Sequence, residues 1–268
     1  MRVLRVGCVG DDVLVWEEFL RGLGFYWLEV DGNFDQATKD ATKDFQRENN
    51  LGDDGEVGGE TLGKALMLGF KILDDNNLDK SGANWPPKPN FSSLNYADRE
   101  KMFGHIEYKS ANAVSDPEAI IITNDWTKNN IVRVEIPQLS KIPGIYQNNQ
   151  LVGKTSSVIS VHKLVVDPMI KLWKAWEKEG LLDLVITWSG MWVPRFVRGS
   201  RSVLSNHAYG TAFDINAPWN GLRMTPALVG KKGSVRELVS IAADNGFYWG
   251  GWWDRLDGMH FELAVLNQ

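Results

Sequence analysis

Apolar side chains recur at helical spacing three times within residues 1–73. In the first segment Val13, Trp16 and Leu20 fall on one face of a helix, and Gly24 follows as a stop signal. The pattern predicts three short helices, over about 11–23, 35–49 and 60–68. Helices of this length bury only a modest core, so residues 1–73 are predicted to form a small three-helix bundle.

A short motif occurs twice in this bundle, at residues 31–38 and 54–61. Each copy begins with an Asp-Gly pair, which favours a tight turn because glycine accepts a positive φ. An apolar residue follows, Phe34 in the first copy and Val57 in the second, and a helix comes next. We therefore expect both apolar side chains to point into the core.

Residues 74–103 interrupt the helical pattern and predict a linker. Its first part, 74–89, is polar and contains three prolines, which favour an extended backbone.

A second domain is predicted over residues 104–268, with a β-rich lead-in over 104–160 and a main part over 161–268. The lead-in pattern predicts two strands, one buried at 120–123 and one half-exposed at 132–136. Asn129 and Asn130 are expected to form the turn that precedes the second strand. The main part predicts a helix over 162–180, a strand over 184–188 and a helix over 235–245. Helices and strands do not alternate in a βαβ rhythm, so we expect an α+β domain with a mainly antiparallel sheet.

Composition and charge narrow the class of protein. The 268 residues are 43% hydrophobic and 24% charged, as in ordinary globular proteins. No apolar run reaches the roughly 18 residues that span a membrane, and Asp11 and Asp12 interrupt the N-terminus before a signal-peptide core could form. The single cysteine, Cys8, excludes an internal disulfide and a cysteine metal cage. Residues 1–75 carry a net charge of −8 and the remainder +3, so no strongly basic surface for nucleic acid is predicted.

Two of the four histidines lie in two polar segments, residues 205–216 and 257–262. In the first segment a strand would place Asp214 opposite its apolar neighbours, and Gly210 offers the bend that brings His207 towards it. In the second segment His260 begins an alternating strand, and a turn brings Asp257 close to it. Two imidazoles and one carboxylate, with a free carboxylate beside them, are the ligand set of an open catalytic zinc site. Zinc lowers the pKa of a water molecule in the fourth position towards about 7.

The N-terminal bundle resembles a known module. The segments VWEEFLRGLGF, VDGNFDQAT, DFQRENNL and DGEVGGET are similar to the peptidoglycan-binding module at the ends of bacterial and phage wall hydrolases. The resemblance implies anchoring to the wall, although such modules also serve as folding or docking units. The charge of −8 in this part argues against attraction to acidic wall polymers, so binding would use shape, hydrogen bonds and aromatic contacts.

The second domain resembles the zinc peptidases of the D-alanyl-D-alanine carboxypeptidase and L-alanyl-D-glutamate endopeptidase clan. The segments SNHAYGTAFDIN and DGMHFE carry the resemblance, which spans roughly residues 160–265. It implies one zinc ion bound by His207, Asp214 and His260. It also implies Asp257 as the general base and Glu262 as the residue that orients His260.

The resemblance also implies an arginine that stabilises the developing oxyanion. The family's compact Ser-Gly-aromatic-Arg pattern is stretched here to residues 189–195, so the identity stays open. Arg195 is the first choice and Arg198 the second, whereas Arg201 is expected to face solvent.

Five further aromatic and histidine residues carry weaker signals of a role in binding or chemistry. Trp249, Trp252 and Tyr209 are candidates for the wall of a substrate groove, although core packing would explain them equally well. We expect His105 and His162 to be structural or surface residues because neither has a partner at ligand spacing. No Gly-x-Ser-x-Gly elbow surrounds a serine, so a serine nucleophile is not predicted.

Together these features predict a modular, endolysin-like peptidoglycan hydrolase. We expect it to cut an amide bond of the stem peptide, L-Ala–D-Glu in particular, with zinc-activated water. The alternatives are a D,D-carboxypeptidase that removes terminal D-Ala and a non-catalytic wall-binding protein with an idle zinc site. The expected partner is cell-wall peptidoglycan, with no nucleic acid or membrane, and the expected state is a monomer. Without a signal peptide, it would be made in a host cytoplasm and reach the wall after release. Removal of residues 1–75 is expected to weaken wall binding and leave the chemistry intact.

Overall fold

The computed structural model describes residues 2–25, 27–70, 80, 82, 84–113, 116–147 and 150–266. The helices within these ranges are α1 Asp11–Gly22, α2 Gln36–Glu48, α3 Gly59–Met67, α4 Tyr96–Phe103, α5 Trp126–Asn130, α6 Val166–Lys178, α7 Ala217–Asn220 and α8 Arg236–Asp244. The strands are β1 Tyr108–Ser110, β2 Ile120–Ile122, β3 Ile131–Glu135, β4 Gly144–Gln147, β5 Gln150–Val152, β6 Val158–His162, β7 Thr187–Trp188, β8 Ala212–Asp214, β9 Phe247–Trp249 and β10 His260–Leu263. The class is α+β, as predicted. None of the helices in the described ranges has the length and hydropathy that crossing a bilayer requires.

The N-terminal module contains the three predicted helices, each within two residues of its expected ends. Asp35 begins α2 by accepting a hydrogen bond from the backbone N–H of Thr38. Phe34 and Val57 are both buried in the core of the module, as the repeated motif predicted. The core forms because the apolar stripes of three helices face one another.

The two copies of the motif have the same local geometry. Gly32 and Gly55 adopt φ values of 74° and 75°. In each copy the preceding aspartate accepts a hydrogen bond from the backbone N–H two residues on, at 2.8 Å from Asp31 to Asn33 and at 2.8 Å from Asp54 to Glu56. An Asp-Gly turn therefore delivers each apolar plug to the core.

The predicted linker is partly wrong. Its residues 74–79, 81 and 83 lie outside the described part of the chain, but 96–103 form α4, which Asn95 caps through the backbone N–H of Asp98. Phe103 is buried in the core of the second domain, and Phe91 and Leu94 pack against that core. The many prolines and polar residues of this stretch predicted a linker, although its apolar residues pack against the second domain.

The lead-in forms small sheets rather than one buried sheet. Strand β2 forms at the predicted position and pairs with β1, but Ile121 is 47% exposed, so the prediction that this strand is buried is wrong. Strand β3 is half-exposed as predicted and pairs with β6. Asn129 and Asn130 end the short helix α5 instead of forming a turn.

The main part keeps the predicted order with shorter elements. Helix α6 begins at Val166 after a 3₁₀ turn, because Pro168 is accepted only in the first turn of an α-helix. A second 3₁₀ turn over Leu182–Leu184 shortens the next strand to Thr187–Trp188. That strand pairs in parallel with β4, while the other strand pairs of the described residues are antiparallel.

One three-stranded sheet positions the polar segments. Its order is β8-β10-β9, with Phe213 directly opposite Phe261. The two rings stack with centroids 5.4 Å apart, and Trp176 of α6 contacts both from the core side. Because side chains alternate along a strand, the residues next to the two phenylalanines face the other way, away from the core.

Candidate metal centre

The position of His207 depends on a bend at Gly210. His207 lies in a 3₁₀ turn over Asn206–Tyr209, and Gly210 follows with φ 65°. A Cβ atom at Gly210 would lie 3.0 Å from both the backbone nitrogen of His162 and Cδ1 of Ile131. Glycine is therefore required both for the left-handed backbone and for the close approach. The bend turns the chain so that His207 reaches the same face of the sheet as Asp214.

His207, Asp214 and His260 meet at one point. Nδ1 of His260 lies 3.1 Å from Oδ1 of Asp214, and Nε2 of His207 lies 3.2 Å from Oδ2 of the same carboxylate. The two imidazole nitrogens are 3.2 Å apart. All three side chains are buried. The structure therefore brings together the three residues that the sequence singled out as metal ligands.

Each imidazole has its other nitrogen occupied. Nδ1 of His207 lies 2.9 Å from the carbonyl oxygen of Met191, which can only accept, so this nitrogen carries the proton and Nε2 is left with its lone pair. Nε2 of His260 lies 3.1 Å from Oε2 of Glu262, which leaves Nδ1 facing the cluster. Asn206 also donates to Glu262 and holds that carboxylate in place. These contacts fix the two tautomers that a metal site needs.

The electrostatics of the cluster favour an ionised carboxylate. Burial lowers the pKa of His207. Burial would raise the pKa of Asp214, but the charges and hydrogen bonds of the two histidines outweigh it and hold that pKa well below its usual range. Burial would also lower the pKa of His260, but its hydrogen bonds to Asp214 and Glu262 raise it to about 10.

The donor set fits a zinc ion. Zinc bonds to imidazole nitrogen and carboxylate oxygen at about 2.0–2.2 Å, so two ligands at a tetrahedral angle lie about 3.3 Å apart. The nearest separations within the cluster, 3.1, 3.2 and 3.2 Å, match that spacing. In the described part of the chain this is the one group of three such side chains that could hold an ion. Three protein ligands leave a fourth position, which is typical of a catalytic rather than a structural zinc site.

Asp257 lies in the same cavity, which has a volume of about 540 Å³. The backbone N–H of His260 donates to its carbonyl oxygen at 3.1 Å, through the turn that the sequence predicted. Its Oδ1 is buried and has no hydrogen-bond partner among the described residues. Burial raises the pKa of this carboxyl to about 7. A carboxylate held in this way is free to accept a proton from a bound molecule.

The three candidate arginines differ in their surroundings. Arg195 lines the cavity, and its positive charge acts on both His207 and Asp257. Arg198 lines the cavity too, but it pairs with Asp116 at 2.7 Å and with Glu118 at 3.1 Å. Arg201 does not line the cavity, and its side chain is 48% exposed.

The three candidates for the groove wall are wrong. Trp249, Trp252 and Tyr209 are buried and do not line the cavity. The indole N–H of Trp249 donates to the carbonyl of Gly258 at 2.7 Å, and that of Trp252 donates to the carbonyl of Pro86 at 3.0 Å. The indole N–H groups of these two tryptophans are therefore used in hydrogen bonds within the protein.

Trp253, one residue further along, lines the cavity instead. Its ring centroid lies 5.2 Å from that of His260. The sequence pattern does not show which of the neighbouring tryptophans faces the cavity. The 3₁₀ turn over Gly250–Trp252 sets the direction of each ring.

The two remaining histidines stand apart from the cluster, as predicted. The ring of His105 is mostly exposed and lies 2.6 Å from Glu100. His162 is buried beside Phe103 and Trp126, and burial lowers its pKa to about 4.

Both parts of the chain match known protein families. Residues 9–64 match the family described as a putative peptidoglycan binding domain, and residues 198–263 match the family described as D-alanyl-D-alanine carboxypeptidase. The chain therefore carries one segment similar to each of these two families. The second match includes the three clustered side chains, Asp257 and Glu262, and it begins after Arg195.

Two known proteins are similar over shorter segments. The N-acetylmuramoyl-L-alanine amidase CwlM of Mycobacterium tuberculosis is 41% identical over 63 residues, which are 24% of this chain and 16% of that protein. The chain thus spans less than a fifth of that relative. The crystal structure of the SleB N-terminal domain has 33% identity and a TM-score of 0.24, and the match covers 25% of this chain and 90% of that one.

Proposed function

We propose that this protein is a peptidoglycan hydrolase that cuts an amide bond of the stem peptide with the help of one zinc ion. The observation that carries the proposal is the cluster of His207, Asp214 and His260, whose metal-facing atoms lie 3.1–3.2 Å apart in the cavity that Asp257 also lines. The two matched domain families support peptidoglycan as the partner.

Several polar residues of the cavity each have their own role in the proposed hydrolysis. A zinc ion held there would polarise the scissile carbonyl and acidify a water molecule. Asp257 accepts the proton of the attacking water at Oδ1 and returns it to the leaving nitrogen. Arg195 donates to the carbonyl oxygen as negative charge develops on it. The carbonyl of Met191 and the carboxylate of Glu262 keep the two imidazoles in the required tautomers.

We propose the L-Ala–D-Glu bond as the one that is cut. A wall-binding module suits an enzyme that works inside an insoluble polymer, and an endopeptidase cut there breaks the network. The description of the matched family favours a second candidate, a D,D-carboxypeptidase that removes terminal D-Ala. We further propose that the protein acts as endolysins do, made in a host cytoplasm and reaching the wall after release.

Digestion of purified peptidoglycan tests the reaction. The zinc-loaded protein should release stem peptides that begin with a new N-terminal D-Glu, as measured by mass spectrometry. Loss of one alanine with intact cross-links would instead establish the carboxypeptidase.

Substitution of the proposed base tests the mechanism. Asp257→Asn should retain zinc and wall binding and lose at least about 100-fold in the rate of hydrolysis, because a positioned base contributes roughly that much or more. Asp183→Asn, the same change at an exposed aspartate outside the cavity, is the matched control and should keep the wild-type rate. A wild-type rate of hydrolysis in Asp257→Asn would refute the assignment of Asp257 as the base. No hydrolysis by either protein would support the non-catalytic alternative.

A further inference from the structure

A buried ion pair joins the N-terminal module to the second domain. Arg21, near the end of α1, is fully buried, and both of its terminal nitrogens donate to the carboxylate of Glu118. The same carboxylate accepts a hydrogen bond from Arg198 at 3.1 Å and one from the backbone N–H of Gly199 at 3.1 Å. One buried glutamate thus connects α1 to the loop that carries Arg198.

The two backbones also touch directly. A Cβ atom at Gly22 would lie 2.6 Å from the carbonyl oxygen of Leu222, and one at Gly221 would lie 2.8 Å from the carbonyl oxygen of Gly22. Met224, two residues after Leu222, is 4% exposed and belongs to the hydrophobic core of the module. The contact therefore leaves no room for a side chain, and the two parts share core residues.

The cavity of the metal-site residues extends to this junction. Arg21 and Gly22 line it together with Arg198, Leu222 and Arg255. Arg255 is held from the module side as well, by an ion pair with Glu18 at 2.8 Å. Tethering to the wall would not by itself require residues of the module to line the cavity of the second domain.

We propose that the N-terminal module forms one wall of the substrate cleft and is needed for turnover even of soluble peptides. Glu118 is then a positioning residue, which fixes Arg198 at the cavity through its bond with Arg21. The activity part of this proposal rests on the proposed hydrolysis, whereas the docking part does not. It replaces our expectation that loss of residues 1–75 would leave the chemistry intact.

Two alanine substitutions in full-length protein separate docking from folding. Gly22→Ala adds a methyl group that must push the module away from Leu222, while Gly63→Ala, in α3, meets no atom within 4 Å. Gly22→Ala should lower kcat/KM for a soluble stem peptide at least tenfold and leave binding to insoluble peptidoglycan unchanged. Gly63→Ala should match the wild type in both. Wild-type turnover by Gly22→Ala would overturn the proposal.

Calorimetry gives a readout that does not require hydrolysis. The wild type should unfold in a single transition, and Gly22→Ala should show two, one for each released part. Glu118→Gln should separate the transitions in the same way if Gly22→Ala proves too unstable to purify. Two transitions in the wild type that neither substitution changes would show that the module is not docked. Failure of the wild type to cleave any stem peptide, with a single transition intact, would remove the proposed hydrolysis and keep the docking.

Arg99 of α4 is a buried arginine at the same cavity. Its side chain lines the cavity, and the residue is only 7% exposed. Its terminal nitrogens donate to the carbonyls of Leu204 at 2.6 Å and Leu94 at 3.4 Å, and its guanidinium lies 5.8 Å from the ring centre of Tyr209. No carboxylate of the described residues pairs with it, and its Nε has no hydrogen-bond partner there. A buried guanidinium without an anion is costly, so its place in a cavity points to a ligand that supplies one.

We infer that Arg99 receives a carboxylate of the bound peptide, an inference that rests on the proposed function. Carboxylates accept from guanidinium groups in paired hydrogen bonds, so this contact would select peptides with a free carboxylate. The residue comes from a segment that lies outside the matched peptidase region, residues 198–263.

Amidated peptides test this assignment. Arg99→Met should raise KM for a stem peptide with free carboxylates at least tenfold and leave KM for the fully amidated peptide unchanged, and Arg99→Lys should restore part of the loss. Arg133→Met, at an exposed position of β3, is the control. Calorimetric titration of both peptides into zinc-loaded Asp257→Asn, with and without Arg99→Met, gives the same comparison without turnover. An equal effect on the two peptides, or no effect on either, would refute the inference.

Discussion

Asp214 and His260 occupy directly opposite positions on neighbouring antiparallel strands, and their side chains approach to 3.1 Å. The register of β8 and β10 therefore decides whether the two candidate metal ligands meet. A slip of one residue would turn Asp214 into the aromatic core, since successive side chains point to opposite faces. The stacked pair of Phe213 and Phe261 opposes such a slip, because both rings would have to leave the core.

Loss of any one metal ligand should abolish tight zinc binding. His207→Ala or Asp214→Ala removes one of only three donors, so zinc affinity should fall by more than the roughly 100-fold that changes around a site produce. Metal analysis after dialysis measures the bound zinc. In the wild type, zinc at 100 times its Kd should add about 2.7 kcal/mol to the free energy of unfolding. Retention of one equivalent of zinc by either variant would contradict the assignment.

Glu262→Gln should weaken zinc binding without abolishing it. The carboxylate of Glu262 lies 3.1 Å from Nε2 of His260 and orients the ring from behind. Outer partners of this kind contribute about 10–100-fold in metal affinity. Competition with a chromogenic chelator measures the change. An unchanged affinity would mean that strand geometry alone orients His260.

Gly210→Ala should displace His207. An added Cβ would crowd the backbone nitrogen of His162 at 3.0 Å, and φ 65° is strained for alanine. We expect weaker zinc binding and a lower Tm. Gly153→Ala is an informative comparison, because Gly153 also has a positive φ but an added Cβ there meets no atom within 4 Å. If both substitutions lower zinc affinity equally, crowding at His162 is not the cause.

The N-terminal module should lose stability as the pH rises from about 4.5 to about 7. Burial raises the pKa of Glu17 to about 7 in the folded state, against 4.5 as its ordinary value. The folded protein then binds the proton more tightly than the unfolded chain, so the free energy of unfolding decreases across this interval and levels off above it. The full effect is at most about 3 kcal/mol.

Glu17→Gln removes this titration and should flatten the pH dependence. Its amide oxygen can still accept the hydrogen bonds that Gly32 and Asp31 donate to Glu17. Urea unfolding between pH 4 and pH 8 measures the slope, with Glu60→Gln as an exposed control in the same module. A slope that persists in Glu17→Gln would assign the titration to another group.

The sequence predicted the candidate metal ligands because local patterns place each side chain within its own segment, and the family resemblance joined the two segments, although Asp214 and His260 are 46 positions apart. Alternation along β8 and β10 assigns Asp214 and His260 to one face, and a glycine supplies the bend for His207. The three helices of the module could also be predicted from sequence, since each carries its own apolar stripe and turn signals.

The parts that sequence reasoning missed depend on contacts between distant residues. Arg21 and Glu118 are separated by 97 positions, and nothing in either neighbourhood identifies the other. Arg99 belongs to a segment whose prolines suggested a linker, and its role appears only when α4 packs beside the cavity. Trp253 differs from Trp252 only in the direction that a single turn gives its ring.

The position of Met224 bears on how such enzymes can be recombined. Its side chain completes the core of the module although it belongs to the other half of the chain. A chimera that exchanged residues 1–73 for an unrelated module would expose the side chain of Met224 to solvent, because the core into which it packs would be gone. Any exchange of the module therefore has to move the loop of Gly221 and Met224 together with the module against which it packs.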